Sequence, residues 1–129
     1  MKINLKEKWK LEAIASLEEA VEETPHRTLW YHQDYLWRSS CTEEEKAYLM
    51  GDMKRFKDHY SYIEYGTSDM DGVETFDDLM NLMKGIEIGW VVQEYLDKFE
   101  EVKGIRANPH NIECGSSLMG DFIRFMKNN

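Results

Sequence analysis

Residues 75–104 read TFDDLMNLMKGIEIGWVVQEYLDKFEEVKG, and this stretch decides the fold. Its apolar residues recur at helical spacing, at positions 76, 79, 83, 86, 90, 96, 99 and 102. Thr75 and Asp78 form the pattern of a capping box, in which a threonine hydroxyl accepts a hydrogen bond from the third helical amide. Gly104 suits the left-handed conformation that ends many helices. The pattern predicts one long helix over about residues 76–103.

Further helices are predicted on both sides of this stretch. One runs from residue 5 to residue 23, with apolar residues at helical spacing (Leu5, Trp9, Ile14, Leu17 and Val21). A second capping box, Thr42 with Glu45, opens a helix that Gly66 can end. Its predicted apolar stripe comprises Leu49, Met53, Phe56, Tyr60 and Ile63. Ser116 or Ser117 can cap a last helix that carries Leu118, Phe122 and Ile123.

Residues 27–38 are compatible with two local structures. Thr24 and Pro25 suit a helix start, whereas the aromatic run around Gln33 and Asp34 also suits a short hairpin. No repeat or linker divides the chain, which has 129 residues. We therefore expect a mostly all-α fold, a four- to five-helix compact bundle forming a single helical domain over 1–129.

The charge is distributed unevenly along the chain. Residues 64–101 hold eleven acidic side chains and two basic ones, so this stretch alone matches the net charge of the whole chain, −9. An acidic surface steers cationic partners toward it and repels nucleic acid and anionic lipid headgroups. The composition therefore favours a basic protein partner and argues against direct binding of nucleic acid or a membrane.

Motifs that would indicate a metal or a cofactor are incomplete. The turn before Thr75 places Asp69, Asp71 and Gly72 on positions of a calcium-binding loop, but Thr67, Glu74 and Asp78 do not fit the remaining positions. The histidines lack metal-binding spacing, and His59 is predicted to lie on the surface. Cys41 and Cys114 form no motif and are interpreted as buried thiols. No cofactor or metal is expected.

One short motif suggests an enzyme. Arg27 and His32 are separated by four residues, a spacing that resembles the HEPN family of small all-helical ribonucleases. The resemblance covers these six residues and implies that Arg27 stabilises a phosphorane while His32 moves a proton. In that family a polar residue commonly follows the arginine and the motif lies late in the domain, whereas Thr28 follows here and the motif lies early.

Aromatic residues near the acidic stretch favour a binding protein over an enzyme. Tryptophan and tyrosine side chains between residues 30 and 65 exceed what the inward stripes can bury, and aromatic side chains surrounded by carboxylates are typical of interfaces with basic proteins. The alternative is that they fill a thick core or a homodimer interface. The residues predicted to contact the partner are Asp69, Asp71, Glu74, Asp77, Asp78, Tyr62 and Tyr65.

The predicted function is that of an acidic inhibitor of a basic partner such as a nuclease. Two settings fit, an immunity protein or antitoxin and a phage inhibitor of host defence. The alternatives are the HEPN-like ribonuclease and a homodimer that packs through the surface around Gly85 and Gly89. The N-terminus lacks the apolar run of a signal peptide and no stretch matches a membrane span, so a cytoplasmic location is expected.

Overall fold

The computed structural model describes residues 4–31, 40–65 and 73–129, apart from the side chains of Tyr62, Glu64 and Tyr65. These residues form five helices: α1 (Leu5–Glu23), α2 (Glu43–Gly51), α3 (Met53–Tyr65), α4 (Phe76–Lys103) and α5 (Ser117–Asn128). The predicted mostly helical bundle is confirmed. Helix α1 packs mainly against α4 and α5, and α2 and α3 pack against each other and against α4.

The helix caps predicted at Thr42, Thr75, Gly104 and Ser116 are confirmed, whereas Gly66 lies outside the described residues. The hydroxyl of Thr75 accepts a hydrogen bond from the backbone N–H of Asp78, and the side chain of Asp78 accepts one from that of Thr75. The same reciprocal pair joins Thr42 and Glu45 at the start of α2. Helix α4 ends at Gly104, whose φ of 68° lies in the left-handed region that glycine adopts without a Cβ clash. These ends are local, because each depends on residues within one helical turn.

The single helix predicted after Thr42 is wrong, because the chain breaks between α2 and α3. Gly51 ends α2, and Asp52 follows in an extended conformation, with φ −111° and ψ 101°. The Asp52 Oδ1 atom accepts hydrogen bonds from the backbone N–H groups of Lys54 and Arg55, at 3.1 and 3.2 Å. Glycine weakens a helix and aspartate is a favoured N-cap, so this pair ends one helix and begins the next.

The apolar stripes predicted for the helices are only partly buried. Leu49 and Ile63 are fully buried, whereas Met53 is 61% exposed and Tyr60 is 45% exposed. Three of the residues predicted on the apolar side of α4 are also exposed: Phe76, Trp90 and Val102. Breaking the helix after Gly51 changes the rotational register of α3. The exposed aromatic residues therefore remain available for other contacts.

The core consists of two clusters that share α4. The larger cluster combines α1, the second half of α4, α5 and the chain between them, including Leu17, Phe99 and Phe122. The smaller cluster lies between the first half of α4 and helices α2 and α3, and it includes Leu49, Ile63 and Met83.

Cys41 and Cys114 are buried free thiols, as interpreted from the sequence. No described helix combines the length and the apolar character that crossing a bilayer requires.

Two segments without long regular structure are joined by backbone hydrogen bonds. Residues 25–30 pair with residues 109–115 through four such bonds, among them Leu29 N–H to Ile112 C=O at 3.0 Å and Gly115 N–H to Pro25 C=O at 2.9 Å. Thr28 forms an isolated antiparallel bridge with Glu113. Of the stretch 27–38, for which a helix or a hairpin was predicted, residues 27 and 28 take part in this pairing and residues 29–31 are helical. Residues 32–38 lie outside the described residues.

Candidate functional site

The starts of α2 and α4 lie side by side and bring together carboxylates that are distant in sequence. Lys46 of α2 contacts Asp77 of α4 at 2.8 Å and Glu43 of its own helix at 3.2 Å. Glu44 lies in the same first turn as Glu43. We use the name acidic surface for the exposed or half-buried carboxylates at these two helix starts, Glu43, Glu44, Glu74, Asp77 and Asp78.

The acidic surface keeps a net negative charge. Lys46 is the basic residue that the described contacts place among these carboxylates, and its pKa is raised by hydrogen bonds to Asp77 and Glu43. Both carboxylates remain largely open to solvent, with 70% of the Asp77 side chain and 92% of the Glu43 side chain exposed. A surface of this kind attracts cations over a distance of about a Debye length, roughly 8 Å at physiological salt.

Asp78 differs from the other members because its carboxylate stabilises its own helix. The Oδ2 atom accepts hydrogen bonds from the backbone N–H groups of Glu74 and Thr75, each at 3.1 Å. These bonds lower the pKa of Asp78. A partner would compete with the helix cap for this oxygen, so Glu74 and Asp77 are the better contact residues at this helix start.

An aromatic side chain accompanies the acidic surface. Phe76, the first residue of α4, lies between Glu74 and Asp77 in sequence and is 53% exposed. Phe76 was predicted to lie on the apolar side of α4, and Glu43 and Glu44 were not among the predicted binding residues. The two capping boxes in the sequence indicated two helix starts that carry acidic residues. Only the packing of α2 against α4 brings these two helix starts together.

Several predicted site residues cannot be placed in this surface. Asp69 and Asp71 lie outside the described residues, as do the side chains of Tyr62 and Tyr65 in α3. Within the described part of the chain, no three histidine, cysteine, aspartate or glutamate side chains converge as a metal site would require. The predicted residues that the structure brings together are therefore Glu74, Asp77 and Asp78.

A second polar group lies between α3 and α4. His59 was predicted to lie on the surface, and this prediction is wrong, because the residue is fully buried. Its Nε2 atom lies 3.1 Å from the Glu87 Oε1 atom, and its ring stacks on that of Trp90 at a centroid distance of 4.7 Å. Arg55 forms an ion pair with the same carboxylate oxygen. Burial opposes ionisation of Glu87, but the hydrogen bonds from His59 and Arg55 outweigh this effect and lower its pKa.

A third polar group supports the packing of α1, α2 and α4. The Lys84 ammonium is buried and contacts Glu12 at 3.0 Å, Glu45 at 3.1 Å and the Ser40 carbonyl oxygen at 3.1 Å. The indole N–H of Trp9 donates to Glu45 at 2.6 Å. The Glu45 carboxylate and the Lys84 ammonium are almost inaccessible to solvent. We therefore interpret this cluster of charges as structural.

Arg27, Gly85 and Gly89, which belong to the two alternative functions, are not part of the acidic surface. The Arg27 guanidinium lies over the Tyr31 ring, 4.3 Å from its centroid, and His32 is outside the described residues. Gly85 and Gly89 are half-buried within α4. No contact among the described residues supports the ribonuclease or the homodimer over a binding protein.

Comparison with known proteins identifies no relative. No protein family model matches the chain, and neither a curated protein nor a solved structure matches it.

Proposed function

We propose that this protein acts by binding a basic protein partner, with the acidic surface forming part of the contact. The observation that carries the proposal is the excess of carboxylates at the paired starts of α2 and α4, where Lys46 is joined to both helices and Phe76 is exposed. Carboxylates around an exposed aromatic residue combine electrostatic steering with an apolar anchor.

The partner class follows from charge. A net charge of −9 disfavours association with the phosphates of nucleic acid or with anionic lipid. It favours a protein whose own binding surface is basic, such as the nucleic-acid cleft of a nuclease. In that setting the carboxylates of the acidic surface occupy positions that phosphates would take, and the protein inhibits its partner. An immunity protein or antitoxin and a phage inhibitor of host defence are the two biological forms of this function.

The first test is capture of the partner at two salt concentrations. Tagged protein is incubated with lysate of its source cells at low and at high salt, and retained proteins are identified by mass spectrometry. We expect a stoichiometric basic protein that is lost as the salt concentration rises, because screening weakens steering and exposed ion pairs. If the captured protein is a nuclease, adding the acidic protein should abolish its cleavage of DNA or RNA.

The second test assigns the contact to the acidic surface. The double variant Glu74→Gln/Asp77→Asn removes two negative charges and leaves the Thr75–Asp78 cap intact. We expect its association rate with the captured partner to fall by about tenfold at low salt while the dissociation rate changes less. The matched control is Glu22→Gln/Glu23→Gln, which removes the same charge from the exposed last turn of α1.

The comparison of the two variants decides between local and global charge. Equal slowing by both would mean that net charge alone steers the partner. An association rate unchanged in Glu74→Gln/Asp77→Asn would remove the acidic surface from the interface. Circular dichroism and thermal unfolding of both variants check that the helical fold is retained.

A further inference from the structure

An open cavity lies where the start of α3 faces the middle of α4. Its volume is about 190 Å³, and it is lined by Asp52, Lys54, Arg55, Asp58 and Trp90. Position 90 is separated from the first residue of α4 by 14 positions, or about 20 Å along the helix. The cavity is thus distinct from the acidic surface.

The aromatic wall of this cavity is held in place although it is half-exposed. Trp90 is 45% exposed, and its indole stacks on the fully buried imidazole of His59 with 28° between the ring planes. His59 is in turn held by Glu87 at 3.1 Å. A large aromatic side chain that is fixed without being buried offers a preorganised contact, because binding costs little further loss of side-chain freedom.

The two basic residues of the cavity are already paired. Arg55 forms an ion pair with the buried Glu87 carboxylate and lies over the Tyr48 ring, 5.1 Å from its centroid. The Lys54 ammonium lies 3.3 Å from Asp58. These pairs leave little positive potential for an anionic ligand.

One carboxylate of the cavity, Asp52, forms no ion pair among the described residues, although the Arg55 guanidinium is close enough to interact electrostatically with it. Asp52 accepts hydrogen bonds from the backbone N–H groups of Lys54 and Arg55 only through Oδ1, as the cap of α3. Among the described residues, the lining holds two carboxylates and two cations. Lys54 pairs with Asp58, and Arg55 pairs with the buried Glu87, which is not part of the lining, so Asp52 is the carboxylate left without an ion pair beside the indole ring. An indole face next to a carboxylate is a favourable site for a cation.

We infer that this cavity receives a cationic side chain, a lysine or an arginine, of the protein partner. The cation packs on the exposed part of the Trp90 indole and pairs with Asp52. The inference rests on the proposed function for the source of the side chain. The site itself is a property of this chain and can be tested without the partner.

The test uses the full chain and a small cationic probe. The indole N–H resonance of Trp90 is assigned by its loss in Trp90→Phe and followed during titration with N-acetyl-arginine amide. The neutral control probe is N-acetyl-glutamine amide, and inorganic phosphate is the anionic one. We expect a saturable shift of the Trp90 resonance with the arginine probe alone, while the indole resonance of the buried Trp9 stays unchanged.

Two matched variants test the carboxylate. Asp52→Asn keeps a good helix cap, because asparagine also accepts from the first helical amides, but it removes the negative charge. We expect it to weaken binding of the arginine probe several-fold. Asp121→Asn removes an exposed aspartate that pairs with Arg124 on α5, and it should leave the titration unchanged.

The outcomes separate this inference from the proposed function. The inference is overturned by the absence of a saturable shift, by an equal response to the glutamine probe, by an unaltered titration in Asp52→Asn, or by a response to phosphate instead. If the arginine probe binds but no basic partner is captured, the cation site stands and the proposed function fails. If a partner binds through the acidic surface but the probe does not shift Trp90, only this inference fails.

With a captured partner, the two surfaces should also differ kinetically. Trp90→Phe keeps an aromatic ring on His59 but offers a weaker face to a cation, and we expect it to raise the dissociation rate. The acidic-surface variant acts mainly on the association rate. A dissociation rate unaffected by both Trp90→Phe and Asp52→Asn would place the cavity outside the interface.

Discussion

At the scale of single residues, the most demanding feature is the burial of Lys84 with Glu45. Lys84 is 1% exposed and Glu45 is fully buried, so both charges have lost almost all contact with water. Burial raises the free energy of each charge by several kcal/mol, and only the contact between them and their further hydrogen bonds compensates. The indole N–H of Trp9 and the backbone N–H of Thr42 provide such bonds to Glu45.

The first residue-scale prediction concerns the loss of this pair. Glu45→Gln keeps the size of the side chain and a group that can complete the capping box, but it leaves Lys84 without its buried counter-ion. We expect the free energy of unfolding to fall by ~3 kcal/mol at neutral pH, measured by urea denaturation. The double variant Glu45→Gln/Lys84→Met should recover part of this loss, because it removes a buried ammonium that keeps only the half-buried Glu12 as a counter-ion. A loss equal in the single and double variants would contradict this explanation.

The same carboxylate gives stability a defined pH dependence. Burial opposes ionisation of Glu45, but hydrogen bonds from Thr42, Trp9 and Lys84 outweigh it and lower its pKa from 4.5 to about 2. A carboxyl group whose pKa is lower in the folded state stabilises the fold above its unfolded pKa. This contribution is therefore complete above about pH 4.5 and is lost as the pH falls toward about 2. Over this range, unfolding free energies should depend less steeply on pH in Glu45→Gln than in the unmodified protein.

His59 shows what a residue's neighbours in sequence do not reveal. The polar neighbours Asp58 and Tyr60 indicated a surface position for His59. Both neighbours are exposed, yet His59 between them is on the buried side of α3. Its partners, Glu87 and Trp90, come from α4 and lie 28 and 31 positions away in the chain. The contact depends on how α3 is rotated, and that rotation is set by the break at Gly51 and Asp52.

At the scale of elements, the bundle depends on short joins as much as on helices. The segment 25–30 is fixed to residues 109–115 by backbone hydrogen bonds, which ties the chain after α1 to the chain before α5. Gly115 is part of this join. A Cβ atom at position 115 would lie 2.6 Å from the Pro25 Cβ atom and 2.8 Å from its carbonyl oxygen.

The element-scale prediction compares two glycines close in sequence. Gly115→Ala should lower the free energy of unfolding by ~2 kcal/mol, because the backbone of Pro25 must move to relieve the clash. Gly120 lies inside α5, where the Cβ atom of Gly120→Ala would meet only Arg124 Nη1 at 3.7 Å. It should raise the free energy of unfolding by ~0.5–1 kcal/mol, because alanine favours the helix.

Chemical denaturation of both variants checks the comparison. Equal changes in the free energy of unfolding at the two positions would mean that a side chain at position 115 is tolerated beside Pro25. Hydrogen exchange of the Gly115 and Leu29 amides, which bond to Pro25 and Ile112, would then report whether the join itself has opened.

At the scale of the whole molecule, charge opposes folding and favours association. The chain carries −9 at neutral pH, with an isoelectric point near 4.9. Most of its described ion pairs involve at least one exposed side chain, and such pairs contribute little to stability. We therefore expect mutual repulsion among the carboxylates to exceed the stabilisation that these pairs contribute.

The molecular-scale prediction is that moderate salt stabilises this protein. Raising sodium chloride from a few millimolar to about 0.15 M shortens the range of repulsion, and we expect the midpoint of thermal unfolding to rise. The rise should be smaller in Glu22→Gln/Glu23→Gln, which carries less negative charge. A midpoint that falls with salt would show that ion pairs outweigh net repulsion. The same salt should weaken partner binding, so stability and affinity are expected to change in opposite directions.

The sequence by itself determined the parts of this protein that depend on neighbours along the chain. Capping boxes, the glycine after α4 and the periodicity of α1 act within a few residues, and they located the helix bounds. They also placed Glu74, Asp77 and Asp78 together, because the three lie within five consecutive residues at the start of α4.

Only the tertiary structure decided which elements face each other. The apolar stripe in the sequence suits one continuous helix, whereas the chain forms two helices separated after Gly51. Both of these helices pack against α4, which favours the two-helix arrangement. The pairing of the two acidic helix starts, the burial of His59 and the Trp90 cavity all join residues that are far apart in the chain. Such contacts depend on the rotation and separation of whole helices, which local propensity does not fix.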